Sequence, residues 1–335
     1  MDFGGGRSAL CAGINDFNNS SRTDVDQSNL HPYNFLGLPS ELAEFEKSEF
    51  VILPVPYEQT TSYQVGTKHA PRAIITASQE VETFDEELKL EACQAGICTL
   101  EPLEVTTADP REMLERIHQT IRQLIDNGKK VVMIGGEHTI SIGAVKAFQE
   151  RYPNLCVLQL DAHADLRDTY QESKYSHACV MRRIGEIGPF VGVGMRNISR
   201  EEHEFIQQSK TDIFFAQDLK NLNRWKEKVL DRLGPDVYLT FDLDFLDPSI
   251  MPSVGTPEPG GFLWYETLDF LKELVSRKNV VGFDLVELCP VSGLVAPDFL
   301  AAKLIYRIIG YMVAKTQKTD GEKSSKLKKQ NSKLQ

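Results

Sequence analysis

Aspartate and histidine crowd two short stretches of this chain, Asp161-Ala162-His163-Ala164-Asp165 and Asp242-Leu243-Asp244. A further histidine closes Gly135-Gly136-Glu137-His138. A carboxylate can bridge two cations, imidazole favours borderline ions, and a pair of bound metals turns water into a strong nucleophile. These residue types therefore suit a two-metal hydrolytic centre. Any one of them alone could cap a helix after a strand. Clusters after three separate strands would be an odd way to cap, and the metalloenzyme reading is the stronger. Gly135 and Gly136 let the chain turn sharply below His138. No GxGxxG or GK[ST] pattern follows them, so a phosphate-cradling loop has little support.

Each cluster follows an apolar run that reads as a buried parallel strand: Leu155 to Leu160, Val237 to Thr240, and Val131 to Ile134. Strand alternation would let Asp161, His163 and Asp165 share a face, and likewise Asp242 and Asp244. Further strands are expected at Phe50 to Val55, Phe190 to Gly194, Ile213 to Phe215 and Val280 to Phe283. Between them lie helical patterns. The clearest is Pro110 to Asn127, with Asp109 as N-cap, Pro110 at the first helical position and Gly128 at the stop. Met113, Leu114, Ile117, Ile121, Leu124 and Ile125 form its apolar stripe. A second helix is expected from Ser141 to Tyr152, and another begins near Pro71. Strands alternating with helices imply an α/β protein of three layers, α/β/α, around a central, mainly parallel sheet. In such sheets ligands sit beyond the carboxyl ends of the strands, where every candidate ligand falls.

The chain is 335 residues long, 41% hydrophobic and 25% charged, which is ordinary for a soluble globular protein. With no linker in mid-chain, one catalytic domain over 46–314 is expected, between an N-terminal extension (1–45) and a basic tail (315–335). The extension is rich in Gly, Asn, Ser and Asp and is expected to lie over the body or reach a neighbouring subunit. The tail has almost nothing apolar to offset ordering entropy, so disorder is expected there. A net charge of −11 disfavours nucleic acid and anionic membranes and is compatible with a cationic substrate. The six cysteines (Cys11, Cys93, Cys98, Cys156, Cys179, Cys289) are scattered without a CxxC pair. That pattern, with no signal-like N-terminus and no apolar run of membrane-spanning length, points to a reducing cytoplasm.

Six blocks carry a family resemblance: GGEHTIS (135–141), DAHADLRD (161–168), YSHA (175–178), FDLDFLDPS (241–249), GTPEPGG (255–261) and DLVELCP (284–290). In this order they resemble the ureohydrolases, the arginase and agmatinase family, over roughly Phe50 to Val313. The resemblance implies an arginase/deacetylase-like fold, although deacetylases lack this series of blocks. It implies metal ligands at His138, Asp161, His163, Asp165, Asp242 and Asp244. It also implies a bridging hydroxide that attacks a guanidinium carbon, with Asp165 passing a proton to the leaving amine. His177 matches the family's loop histidine, a proton shuttle or substrate contact; Glu287 matches the carboxylate that pairs with the guanidinium. Either could otherwise be an ordinary cap or loop residue. Two divalent ions per chain are expected. Manganese suits a carboxylate-rich set without thiolate, and nickel, cobalt or iron would fit the same ligands. The family also implies a homotrimer or homohexamer.

Two departures from arginases bear on the substrate. Where arginases resemble one another in an Asn two residues beyond the DxHxD cluster, this chain has Arg167. Lys174, Tyr175 and Ser176 precede His177 where arginases grip the amino-acid head. Agmatine, hydrolysed to putrescine and urea, is therefore the expected substrate. Guanidinobutyrate, guanidine or arginine are the alternatives, and a catalytically silent metal-binding scaffold is a reading of another class. Arg167 could favour a carboxylate tail if it faced the pocket. The expectation is that it points outward and pairs with Asp168 or Glu172.

Overall fold

A computed structural model of the protein describes residues 31–106 and 108–331. It contains ten strands: β1 (Phe50–Val55), β2 (Phe84–Asp85), β3 (Leu90–Glu91), β4 (Ile97–Thr99), β5 (Lys130–Gly135), β6 (Leu155–Leu160), β7 (Phe190–Met195), β8 (Asp212–Phe215), β9 (Asp236–Asp242) and β10 (Asn279–Val286). β2 and β3 form a small antiparallel pair, and the other eight make one sheet in the order β4-β1-β5-β10-β9-β6-β7-β8. Every pairing in that sheet is parallel.

Both faces of the sheet are covered, which is why its strands read as unbroken apolar runs. In β1, Phe50 and Ile52 enter one core while Val51, Leu53 and Val55 enter the other. Helices Pro110–Asp126, Ser141–Arg151 and Val180–Ile187 pack on the second face, and Ala70–Ser78, Trp264–Arg277 and the long C-terminal helix on the first. The fully buried Phe, Leu and Ile side chains each contribute about 1.5–3 kcal/mol relative to exposure, and they hold the strand ends in fixed register. Helix Pro110–Asp126 starts as expected: the Asp109 side chain accepts from the Arg111 N–H at 2.8 Å. It stops at Gly128, whose φ is +73°.

The order of the strands explains where the site lies. β5 and β6 are consecutive in sequence but are separated by β10 and β9, which enter later. The carboxyl ends of β5, β10, β9 and β6 thus stand side by side in mid-sheet, and each leads into one of the chemical motifs.

Three expectations change. The edge strand β4 is too short to show in the sequence. The body begins before residue 45: Phe35, Leu36 and Leu38 are buried in the core, and the Phe35 N–H donates to Thr99 Oγ1 at 3.0 Å. The rest of the N-terminal extension, residues 1–30, lies outside the described residues. The tail was expected to be disordered from Lys315, yet the last helix runs Ala296–Asn331. Its buried first turns supply the nucleus, after which each further residue needs only to extend it; residues 332–335 lie outside the described residues. Among the described residues no helix is long and apolar enough to cross a membrane. Cys93, Cys98, Cys156, Cys179 and Cys289 are buried and unpaired.

Candidate metal centre and active site

Three of the four central strand ends, those of β5, β9 and β6, bring the predicted ligands to one place. His138 opens a single 3-10 turn after β5, Asp242 ends β9, and Asp244 sits in the following turn, Leu243–Phe245. Asp161, His163 and Asp165 all lie beyond the end of β6. Strand alternation is therefore not what brings them together. The segment is irregular, with Asp165 in the left-handed region at φ +52°. It is pinned by one of its own acids and by one from the turn after β9: Asp161 Oδ1 accepts the His163 N–H at 2.6 Å, and Asp244 Oδ1 accepts the Ala162 N–H at 2.9 Å. Gly136 is required by close approach, since a Cβ there would stand 2.0 Å from the Tyr57 carbonyl oxygen.

Two groups of donor atoms result, His138 with Asp161 and Asp242, and Asp161 with His163 and Asp244; the atoms within each lie within 4.8 Å of one another. Asp161 belongs to both. Its Oδ2 is 3.3 Å from His138 Nδ1, and its Oδ1 is 3.6 Å from His163 Nδ1. Asp165 Oδ2 joins the first group at 3.1 Å from His138 Nδ1, while Asp244 Oδ2 is 2.8 Å from His163 Nδ1.

The residues fit a metal on one specific observation. His138 Nδ1 is buried without a hydrogen-bond partner, although three carboxylates surround it at 3.1–3.5 Å. Its other nitrogen, Nε2, meets Thr240 Oγ1 at 2.8 Å. That hydroxyl donates to buried Asp284 Oδ1 at 2.7 Å. With the Thr240 proton directed to Asp284, Thr240 accepts from Nε2–H, which leaves Nδ1 as the nitrogen that can offer its lone pair to a cation among the acids. A ring nitrogen set this way by an outer carboxylate is the usual arrangement of a metal-binding histidine.

The electrostatics agree. Burial would push His138 down, but Asp161, Asp165 and Asp242 override it and hold its pKa well above the usual value. Burial and the Asp161 charge lift Asp165 to about 7. Burial, with Asp244 and Asp161, lifts Asp242 far above the carboxylate range. Such a cluster requires positive charge, which protons or metal cations can supply.

Glu287 and His177 border the same pocket, whose volume is about 210 Å³. Glu287 follows β10 at φ +66°, and its Oε1 accepts the His138 N–H at 2.6 Å. Burial, reinforced by the Glu137 charge, lifts its pKa to about 8. Among the described residues no lysine or arginine pairs with it. His177 opens the turn His177–Cys179, capped by Ser176, whose hydroxyl accepts the Ala178 N–H at 3.3 Å. Burial lowers its pKa. Gly255 and Thr256 of the GTPEPGG loop also line the pocket.

Arg167 departs from expectation. It lines the pocket, its guanidinium carbon 5.3 Å from the Tyr170 ring centre and its Nε 4.0 Å from Glu202 Oε2. Asp168 pairs instead with Arg183 at 2.7 Å. The cause is a reversal of the loop. Tyr170 and Ser173 exchange backbone hydrogen bonds of 2.8 and 2.9 Å, with Gln171 and Glu172 both at positive φ. The Arg167 N–H then reaches the Ala178 carbonyl at 3.2 Å.

Several contributors were missed by sequence reasoning. Glu137 was quoted within its motif but given no role. Thr60, Tyr170 and Glu202 carry no local signal, because only the fold brings them to the site.

An all-parallel sheet with two overlapping sets of candidate metal donors at its central strand ends, beside a buried carboxylate with no lysine or arginine partner among the described residues, fits one class: binuclear-metal hydrolases. The chain matches the arginase family over residues 48–310, and it belongs to that family. It is 40% identical to an N(1)-aminopropylagmatine ureohydrolase of Synechocystis sp., over 84% of this chain and 96% of that protein. It is 30% identical to an agmatinase of Pyrococcus horikoshii, over 84% and 98% respectively. The solved agmatine ureohydrolase of Thermoplasma volcanium superposes with a TM-score of 0.79 at 29% identity, covering 87% of this chain and 98% of that one. The chain is a ureohydrolase, an enzyme of a family that depends on two metals.

Proposed function

We propose that this chain hydrolyses guanidino compounds with amine-ended tails, releasing urea, and that it accepts N1-aminopropylagmatine ahead of agmatine and both ahead of arginine. The observation that carries the reading is Glu287, a buried carboxylate with no lysine or arginine partner among the described residues, held beside His138. A guanidinium and a carboxylate form a bidentate, charge-assisted pair, so Glu287 would orient the guanidinium carbon toward the ligand cluster. The tail would leave the pocket past Tyr63, which is 74% exposed, and a longer chain would extend there into solvent. The aminopropyl substrate is also favoured by the relatives so named, at 35–40% identity, against 30–34% for the agmatinases.

His138, Asp161, Asp165 and Asp242 would hold one divalent cation, and Asp161, His163 and Asp244 the other; manganese suits this oxygen-rich set. Bound there, the pair would supply a strong nucleophile from water at neutral pH and stabilise developing charge. Asp165, in the role the family resemblance implies, would take up the proton released from water and pass it toward the leaving amine. His177 would complete that delivery as a general acid. The C–N bond to the tail breaks as the amine nitrogen gains the proton, and the water oxygen becomes the carbonyl oxygen of urea.

Arg167 favours a second reading. A guanidinium in the pocket could receive a carboxylate tail, such as that of 4-guanidinobutyrate. Its proximity to Glu202 and its stacking on Tyr170 engage that charge already, so the amine-tailed reading ranks first. Urea release measured over N1-aminopropylagmatine, agmatine, 4-guanidinobutyrate and arginine tests the ranking. Equal turnover of arginine and the amine-tailed pair would reject it.

A further inference from the structure

Glu137 is fully buried, and the chemistry above gives it nothing to do. Its Oε2 accepts the backbone N–H groups of Gln59 and Thr60, each at 2.6 Å. Its Oε1 accepts the hydroxyls of Thr139 at 2.6 Å and Thr60 at 2.8 Å. With four donors around two oxygens, the group acts only as an acceptor. The Thr60 hydroxyl has a single proton, and that proton is directed to Glu137. The same oxygen receives the His177 backbone N–H at 3.0 Å and lies 3.1 Å from His177 Nδ1. Thr60 has no second proton to offer the ring, so the contact is satisfied only when Nδ1–H donates to it.

We propose that Glu137 and Thr60 are positioning residues that set His177 as its Nδ1–H tautomer, leaving Nε2 as the ring atom that exchanges a proton with the substrate. This rests on the reading of His177 as the general acid given above. In the imidazolium both nitrogens carry protons. Nε2–H passes its proton to the leaving amine as the C–N bond breaks, and the ring returns to the neutral Nδ1–H form. The ring rests in that neutral form, and Nε2 takes its next proton from solvent only during the following turnover. The anchor is rigid because Glu137 adjoins His138 and its own N–H donates to the Tyr57 carbonyl at 2.9 Å. One turn of chain therefore fixes a candidate metal ligand and, through Thr60, the orientation of a histidine from a different loop.

The test compares Thr60→Val with Thr60→Ser. Valine keeps the branched shape and the backbone N–H to Glu137 but loses the hydroxyl; serine keeps the hydroxyl. Thr60→Val should lower kcat by roughly ten- to a hundredfold with KM changed less than about twofold, because the loss falls on proton transfer and not on binding. Bound metal should be unchanged, and Thr60→Ser should recover most of the rate. A kcat unaffected in Thr60→Val, or equal damage in both variants, would overturn the proposal. Nitrogen NMR of histidine-labelled, full-length protein loaded with diamagnetic zinc reads the tautomer without turnover. The His177 signals, assigned by their loss in His177→Asn, should show a protonated Nδ1 and a bare Nε2. The opposite tautomer would overturn the proposal whatever the activity. A chain that released no urea from any guanidino substrate would sink the functional reading alone, since the NMR result would still stand.

Discussion

Asp284 touches no candidate ligand position except through Thr240, yet its replacement by asparagine should weaken one of the two metal positions and spare the other. Asp284 is fully buried, and burial raises its pKa. It accepts the Tyr238 hydroxyl at 2.7 Å and the Thr240 hydroxyl at 2.7 Å, and Thr240 Oγ1 meets His138 Nε2 at 2.8 Å. An amide in place of the carboxylate can turn its NH2 toward Thr240. The hydroxyl then donates to Nε2, and the imidazole proton moves to Nδ1, the atom that faces Asp161, Asp165 and Asp242. Loss of such an outer partner lowers metal affinity by about 10- to 100-fold, which is ~1.4 to ~2.7 kcal/mol. Chelator competition with elemental analysis should therefore resolve one weakened ion and one nearly unchanged, the latter held by Asp161, His163 and Asp244. Thr240→Val separates this effect from damage to folding, because it leaves the Asp284–Tyr238 bond intact and should weaken the same ion. Wild-type affinity for both ions in both variants would refute the tautomer argument.

Three further outcomes are expected. Metal-free protein should lose thermal stability as pH rises from about 5 to about 8. Asp165 and Glu287, held at about 7 and about 8, keep protons in the folded state that the unfolded chain has already released above its carboxylate pKa. The raised pKa values of Asp242, His138 and His163 act in the same direction, and the lowered one of His177 opposes them; a melting temperature that rose across this range in chelator would contradict the charge balance. Glu287→Gln should lower kcat/KM by about ten- to a hundredfold, the loss of a charged hydrogen-bonded partner worth ~1.5–3 kcal/mol, and to the same degree on every guanidino substrate. An effect confined to one substrate would place Glu287 at the tail instead. Light scattering should give a mass several times 37.7 kDa, as expected of a trimer or hexamer; a monomer at micromolar concentration would overturn that expectation.

Much of the fold was legible because its strands are buried on both faces. Runs such as Leu155 to Leu160 stand out without any tertiary information, and the Pro110 helix announces both of its ends. β4 was missed because three residues at a sheet edge carry no periodicity. The tail was misread because composition reports the lack of a core but not a helix already nucleated upstream. At the site, all eight predicted side chains converge, but the reason given for the Asp161 segment was incorrect: it lies beyond β6, held by hydrogen bonds to Asp161 and Asp244 and with Asp165 at positive φ, so strand alternation does not order it. Arg167 went astray for a related reason. Its neighbours in sequence, Asp168 and Glu172, looked like partners, whereas a reversal at Gln171 and Glu172 turned it onto Tyr170 and Glu202. Contacts made across the fold, Thr60 with His177 and Asp284 with His138 through Thr240, leave no trace in local spacing.

The central claim is that two cations, sharing Asp161, act together on a guanidinium held by Glu287. Its most direct test is urea release from agmatine or N1-aminopropylagmatine as metal-free protein is titrated with manganese, with bound ion measured at each point. Activity should rise mainly with the second equivalent and level off at two ions per chain. Full activity at one ion per chain, or in protein holding none, would contradict it.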